Sequence, residues 1–201
     1  AITPKTKMLI LCSPSNPTGS VYSEEELAGL AEVIKKHEGM YVLADEIYEH
    51  ISYIGKHASI AKIEGMKERS IIVNGVSKAY AMTGWRIGYI AAPEWIVKGC
   101  NKLQGQYTSG PCSVSQKAAE AAYTLEQGCV EDMRKAFERR RDLIVELAKD
   151  IPGLEVNVPE GAFYLFPKCS SFFGKSNGEK TINSSTDFAL YLLEKAHVAT
   201  V

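Results

Sequence analysis

Four short apolar blocks punctuate the first half of the chain. Lys7–Cys12 (KMLILC), Met40–Ala44 (MYVLA), Ser70–Asn74 (SIIVN) and Ile87–Ala92 (IGYIAA) are each bounded by turn residues, the pattern of buried strands. Between the first two, Leu27, Leu30, Ala31 and Ile34 recur at helical spacing, and Ser23 with Glu26 forms a capping box at the start of that stretch. Gly39 sits where such a helix would end. Strand, helix, strand at this spacing predicts a βαβ unit with parallel strands and a right-handed crossover. Only about a dozen residues separate the third and fourth blocks. So short a connection barely allows a parallel crossover, and the fourth strand is expected to run antiparallel.

From Glu94 the period becomes helical, over Trp95–Thr108 and then over a long, charged stretch, Ser115–Lys149. Pro152-Gly153 breaks it. Strands are expected at Leu154–Val158 and Ala162–Pro167, then a Gly/Ser/Asn-rich loop over 174–185, a helix near Asp187–Ala196 and a strand at His197–Val201. The whole predicts an α/β protein, a mostly parallel sheet with flanking helices followed by the start of a small α+β unit. The change of rhythm places a domain boundary inside the long helix, with residues 1–125 in a large domain and 126–201 in an interdomain helix and part of a second domain. The chain opens without methionine just before one apolar run and stops inside another, which predicts a piece of a longer protein.

Charge and cysteine content narrow the function. Basic and acidic residues number 23 and 24 among 201, so nothing asks for a nucleic-acid or anionic-membrane partner. The Arg139-Arg140-Arg141 run lies in a stretch, 131–149, with six basic and five acidic side chains, and is read as a solvated helix face. The five cysteines are odd in number and widely spaced, without a C-x-x-C pair; a reduced, cytoplasmic compartment is expected. No apolar run is long enough for a transmembrane helix. His37, His50, His57 and His197 lack metal-ligand spacing, so no metal is expected. Asn183-Ser184-Ser185 fits a glycosylation sequon that a cytoplasmic protein would not use.

Candidate chemistry gathers at the predicted strand ends, where open α/β sheets place their sites. Lys78 lies just past the third strand, with the Ser77 hydroxyl beside it and Arg86 eight residues on. A partly desolvated lysine near other cations becomes a usable amine nucleophile, while a hydroxyl and a guanidinium fork suit a phosphate. The second strand delivers Asp45, costly to bury unless it meets a positive partner, and Tyr48 on the same side if a helical turn follows. The first delivers Asn16 on a proline-rich loop. A nucleotide-metal role for Asp45-Glu46 is excluded because no phosphate loop precedes it.

These segments resemble the class I/II pyridoxal-phosphate aminotransferases, in the fold type I architecture shared with aspartate aminotransferase. Gly75–Gly88 (GVSKAYAMTGWRIG) matches the family's lysine-attachment motif, and SNPTG (15–19), ADEIYEH (44–50) and GAFY (161–164) are further landmarks in the family's order. The resemblance covers essentially the whole chain, and its wording is similar to bacterial aspartate aminotransferases. It implies that pyridoxal 5'-phosphate forms a Schiff base with Lys78, which then moves the substrate's α-proton. Asp45 would pair with the pyridine nitrogen, Tyr48 and Asn16 would face the ring's phenolate oxygen, Ser77 and Arg86 would hold the phosphate, and Asn16 and Phe163 would meet the substrate. It further implies an L-amino acid and a 2-oxo acid as substrates, and a homodimer that Gln106–Ser109 approaches. The resemblance also implies elements that are absent here: an upstream phosphate loop, an aromatic residue stacked on the ring, and an arginine after the last strand clamping the substrate carboxylate. None of Arg69, Arg86, Arg134, Arg139, Arg140 and Arg141 follows that strand, so the chain alone is expected to be inactive. Sheet edges that further strands would cover are expected to be bare. Two other readings stay open: another enzyme on this scaffold, such as a β-lyase or a cyclopropane-forming synthase, and a non-catalytic sensor or dimerisation module.

Overall fold

The structure is a computed structural model and describes residues 1–200. Four strands, β1 (Met8–Cys12), β2 (Tyr41–Asp45), β3 (Ser70–Gly75) and β4 (Gly88–Ala91), form one sheet in the order β1-β2-β3-β4. β1, β2 and β3 are parallel, with Cys12 opposite Asp45 and Asp45 opposite Val73. Three strand ends therefore arrive at the same edge. β4 is antiparallel to β3, from Ile72 opposite Ala91 to Gly75 opposite Gly88. The connection between them holds only tight turns and one 3₁₀ turn at Thr83–Trp85, too short for a crossover helix.

Helix α1 (Glu24–Lys35) begins at the expected capping box: the Ser23 hydroxyl accepts from the Glu26 N–H at 3.2 Å, and Glu26 Oε2 accepts from the Ser23 N–H at 2.8 Å. Those bonds from Ser23 hold the exposed Glu26 carboxyl below its usual range. Its stripe of Leu27, Ala31 and Ile34 is buried against Leu11, Val42, Ala44, Ile60 and Met66. Each large apolar side chain so enclosed contributes roughly 1.5–3 kcal/mol. The sheet's other face is less covered: alternate β2 residues (Tyr41, Leu43, Asp45) are half-buried, and β4 is mostly exposed. β1 and β4 are both free edges among the described residues, as expected.

Helix α2 (Glu94–Tyr107) follows β4. The long helical stretch is not one helix but two, α3 (Ser113–Thr124) and α4 (Gly128–Lys149). Leu125–Gln127 breaks it. Gln127 Nε2 donates to the Ala122 and Leu125 carbonyls at 3.0 and 2.6 Å, closing the end of α3 by a side chain rather than by continued helix. The strands expected at Leu154–Val158 and Ala162–Pro167 do not form. Among the described residues the β-pairing around these segments is limited to single bridges, Glu155 with Lys168 and Ser52 with Gly161. An alternating pattern without a neighbouring strand of matching length has nowhere to place its hydrogen bonds. The expected last helix is present as α5 (Ser185–Tyr191), continued by a π turn over Leu192–Ala196. No strand follows it over 197–200, and Val201, the last residue of the expected strand, lies outside the described residues.

Candidate active site

The β1 tip leads into the loop Ser13–Ser20, which the GAFY segment locks in place. The Gly19 carbonyl accepts N–H bonds from both Glu160 and Gly161 at 2.9 Å, and Ala162 N–H donates to the Ile51 carbonyl at 2.8 Å. Gly161 is required by this closeness: a β-carbon there would lie 2.6 Å from Pro14 Cβ and 2.9 Å from the Ile51 carbonyl. Helix α4 holds the same segment from the far side. Phe137 stacks on Phe163 with centroids 5.1 Å apart, and Arg141, one turn on, donates to the Pro159 carbonyl at 2.8 Å and lies 4.6 Å from the Tyr53 ring. One member of the arginine run is thus a packing residue, and Arg134 is tied to Glu131 and Glu138.

Against this frame the β2 tip turns sharply, with Glu49 N–H donating to the Glu46 carbonyl and Ile51 N–H to that of Tyr48. The turn brings Tyr48 back over the strand end, as predicted, and buries it to 2% exposure. Its hydroxyl shares a very short hydrogen bond with that of Tyr164. Asn16 Nδ2 donates to the same Tyr164 hydroxyl at 3.3 Å. Burial, then the bond to Tyr164, raises the Tyr48 phenol well above its usual pKa, so it remains a protonated hydroxyl. Lys78 Nζ lies 5.6 Å from the ring centroids of both Tyr48 and Phe163, which are packed edge to face at 5.4 Å. Four of the predicted residues, Asn16, Tyr48, Lys78 and Phe163, therefore converge on one cluster. Tyr164 is the hub between them. Its motif was noted in the sequence, but nothing in the spacing signals a contact spanning 148 residues.

Asp45 stands at the end of β2 with Oδ1 accepting from the Ile47 N–H at 3.2 Å. It is half-buried and has no ion-pair partner among the described residues. Ser77 and Arg86 sit in the turn after β3, joined through Thr83: its hydroxyl donates to the Ser77 carbonyl at 2.8 Å, and Arg86 Nη1 donates to its carbonyl at 2.9 Å. Arg86 is exposed and adopts a left-handed backbone (φ 54°), leaving most of its guanidinium fork unengaged by described residues.

The donor set suits pyridoxal phosphate. An amine without a hydrogen-bond partner among the described residues lies against two aromatic rings. A half-buried carboxylate lacks a cation among the described residues. A phenol and an amide hold hydrogen-bond capacity nearby, and a hydroxyl and a guanidinium share the next turn.

A sheet of this topology with a lysine, an acid and a phenol at its parallel strand ends has the architecture of fold type I transferases. The chain belongs to the aminotransferase class I and II family, which matches over residues 1–201. It is 49% identical over 205 residues to the bifunctional aspartate aminotransferase and glutamate/aspartate-prephenate aminotransferase of Petunia hybrida, covering 100% of this chain and 43% of the relative. It is 50% identical to a probable aspartate/prephenate aminotransferase of Rickettsia bellii, covering 100% and 51%. Among solved structures it superimposes on the aspartate aminotransferase from Rhizobium meliloti with a TM-score of 0.94 and 46% identity, over 100% of this chain and 51% of that one. An aromatic aminotransferase from Pyrococcus horikoshii gives 0.90 and 40%, over 100% and 52%. The chain spans about half the length of the relatives it matches.

Proposed function

We propose that the chain forms the cofactor-holding part of a pyridoxal-phosphate-dependent aminotransferase of its relatives' full length, one that moves an amino group between an L-amino acid, aspartate or a close analogue, and a 2-oxo acid. The observation that carries this reading is the placement of Lys78 Nζ against both the Tyr48 and Phe163 rings, next to the Asn16–Tyr164–Tyr48 hydrogen bonds. The names of the relatives support aspartate.

When bound, the cofactor supplies an aldehyde that captures amines and a cationic ring that accepts the electron pair left when the α-proton departs. The chain's own residues do the rest. Lys78 is the attachment amine and, once displaced, carries the proton on Nζ. Asp45 keeps the ring nitrogen protonated: a carboxylate with no other cation to neutralise it is the fixed charge this task requires. Tyr48, held as a neutral phenol, donates a hydrogen bond at the site, and Asn16 adds an amide donor beside it. Ser77 and Arg86 hold the phosphate. Phe163, propped by Phe137, faces the substrate side. On this reading residues 1–125 belong to the cofactor-binding domain and 126–201 to the connecting helix and a smaller domain. A homodimer would cover the exposed stretch around Tyr107, which is 84% exposed. A cytoplasmic location agrees with five unpaired thiols. No helix of the described residues is long and apolar enough to cross a membrane.

The test is keto-acid-dependent amine exchange by the protein at its relatives' length. Aspartate with 2-oxoglutarate is expected to give glutamate. An Asp45→Ala variant is expected to retain the cofactor and lose at least ~10²-fold in turnover, the scale for removing a preorganised charge from a site. Release of ammonia and pyruvate without any 2-oxo acid acceptor would replace the proposal with a β-lyase.

A further inference from the structure

The β2 tip presents chemistry to two sides. Asp45 and Tyr48 belong to the cluster above. The next residue, Glu46, lines a separate cavity of about 1130 Å³, together with Glu49 and His57, between the loop after β2, β3, β4 and α4. The ligand-capable atoms of Glu46, Glu49 and His57 all lie within 4.8 Å of one another.

His57 is the informative member. Its side chain is only 9% exposed, and neither ring nitrogen makes a hydrogen bond. Nε2 lies 3.2 Å from Glu46 Oε2, near enough for an ion pair but without the alignment that an N–H···O bond requires. That separation is natural for two ligands of one ion: with bonds of about 2.0–2.2 Å to imidazole nitrogen and carboxylate oxygen, neighbouring ligand atoms fall roughly 3.0–3.5 Å apart. The carboxylates are also oriented from behind, as metal-binding carboxylates are. Ser59 Oγ donates to Glu46 Oε1 at 2.6 Å, and Asn74 Nδ2 donates to Glu49 Oε1 at 2.8 Å. Glu46 is 6% exposed and has no lysine or arginine within ion-pair distance among the described residues. A carboxylate buried to that degree calls for a positive partner or a metal.

We propose that Glu46, Glu49 and His57 bind one divalent first-row transition cation, with water completing its shell from the cavity. Two carboxylates and one neutral imidazole balance a charge of +2. Two oxygen ligands and one nitrogen ligand, without thiolate, select Mn²⁺ or Zn²⁺ over softer ions. The ion would pin the loop carrying His57 to the residue directly after Asp45, stiffening the strand tip. The sequence gives no hint of it: the two glutamates are three residues apart inside a tight turn, and the histidine comes from a loop eight residues later.

Mn²⁺ is the probe of choice because the five free cysteines compete poorly for it. Titration of the 201-residue chain with MnCl₂, following the free-ion electron paramagnetic resonance signal, is expected to show one ion bound per chain. Binding is expected to weaken at least tenfold in Glu49→Gln and in His57→Asn, while Glu155→Gln, at an exposed surface pair, leaves it unchanged. Gln at position 49 can still accept from Asn74, so this variant keeps its fold, as circular dichroism would verify. A free-ion signal that follows added Mn²⁺ up to millimolar concentration with the folded chain would overturn the proposal. So would equal binding by the chain and the Glu49→Gln variant.

Discussion

Helices α1 and α2 carry comparable apolar stripes, yet they meet different fates. α1 buries Leu27, Ala31 and Ile34 against β1 and β2. α2 buries nothing among the described residues, and its Trp95 and Leu103 are each 62% exposed. The difference lies in what each helix faces. α1 packs on the face of a sheet whose strands supply alternating Val42 and Ala44. α2 follows an edge strand, β4, and touches the sheet chiefly where Trp95 meets Tyr41 edge to face. A periodic stripe tells a segment to be helical; burial needs a second surface, and among the described residues only α1 has it.

Substitutions can break or sharpen that contrast. The largest expected effect is Leu27→Ala, which opens a cavity in the enclosed cluster and should cost about 2–5 kcal/mol in urea unfolding. Ser23→Ala removes the hydroxyl half of the capping box and should cost about 1 kcal/mol by the same measurement. Leu103→Ala on α2 should change stability by no more than ~0.5 kcal/mol. If Leu103→Ala proved as damaging as Leu27→Ala, the exposed stripe would be covered in solution. Sedimentation over a tenfold dilution series would then show association.

The same contrast governs what could be read from the sequence. The strand blocks, the capping box, the parallel βαβ unit and the antiparallel β4 were legible because each rests on local pattern or on the length of a connection. The gathering of Asn16, Tyr48 and Lys78 was legible because parallel strand ends share one edge. The tail departs from its pattern: Leu154–Val158 alternates like a strand but pairs only through the single bridge between Glu155 and Lys168. The break at Leu125–Gln127 was hidden because Gln127 ends α3 with its side chain, a role that the amide does not advertise. Tyr164 joins Asn16 to Tyr48 only because Gly161 lets two backbones nearly touch, a fact of tertiary packing. The closeness of Glu46 and His57 has the same origin.

The central claim is that Lys78 is the amine that holds the cofactor. Its most direct test is absorbance of the protein at its relatives' length titrated with pyridoxal phosphate, followed by borohydride reduction and peptide mapping. The account predicts one equivalent bound, a visible band retained in the exposed-lysine control Lys67→Ala and abolished in Lys78→Ala, and the reduced adduct on the peptide containing Lys78. A band that persists in Lys78→Ala, or an adduct on any other lysine, would contradict it.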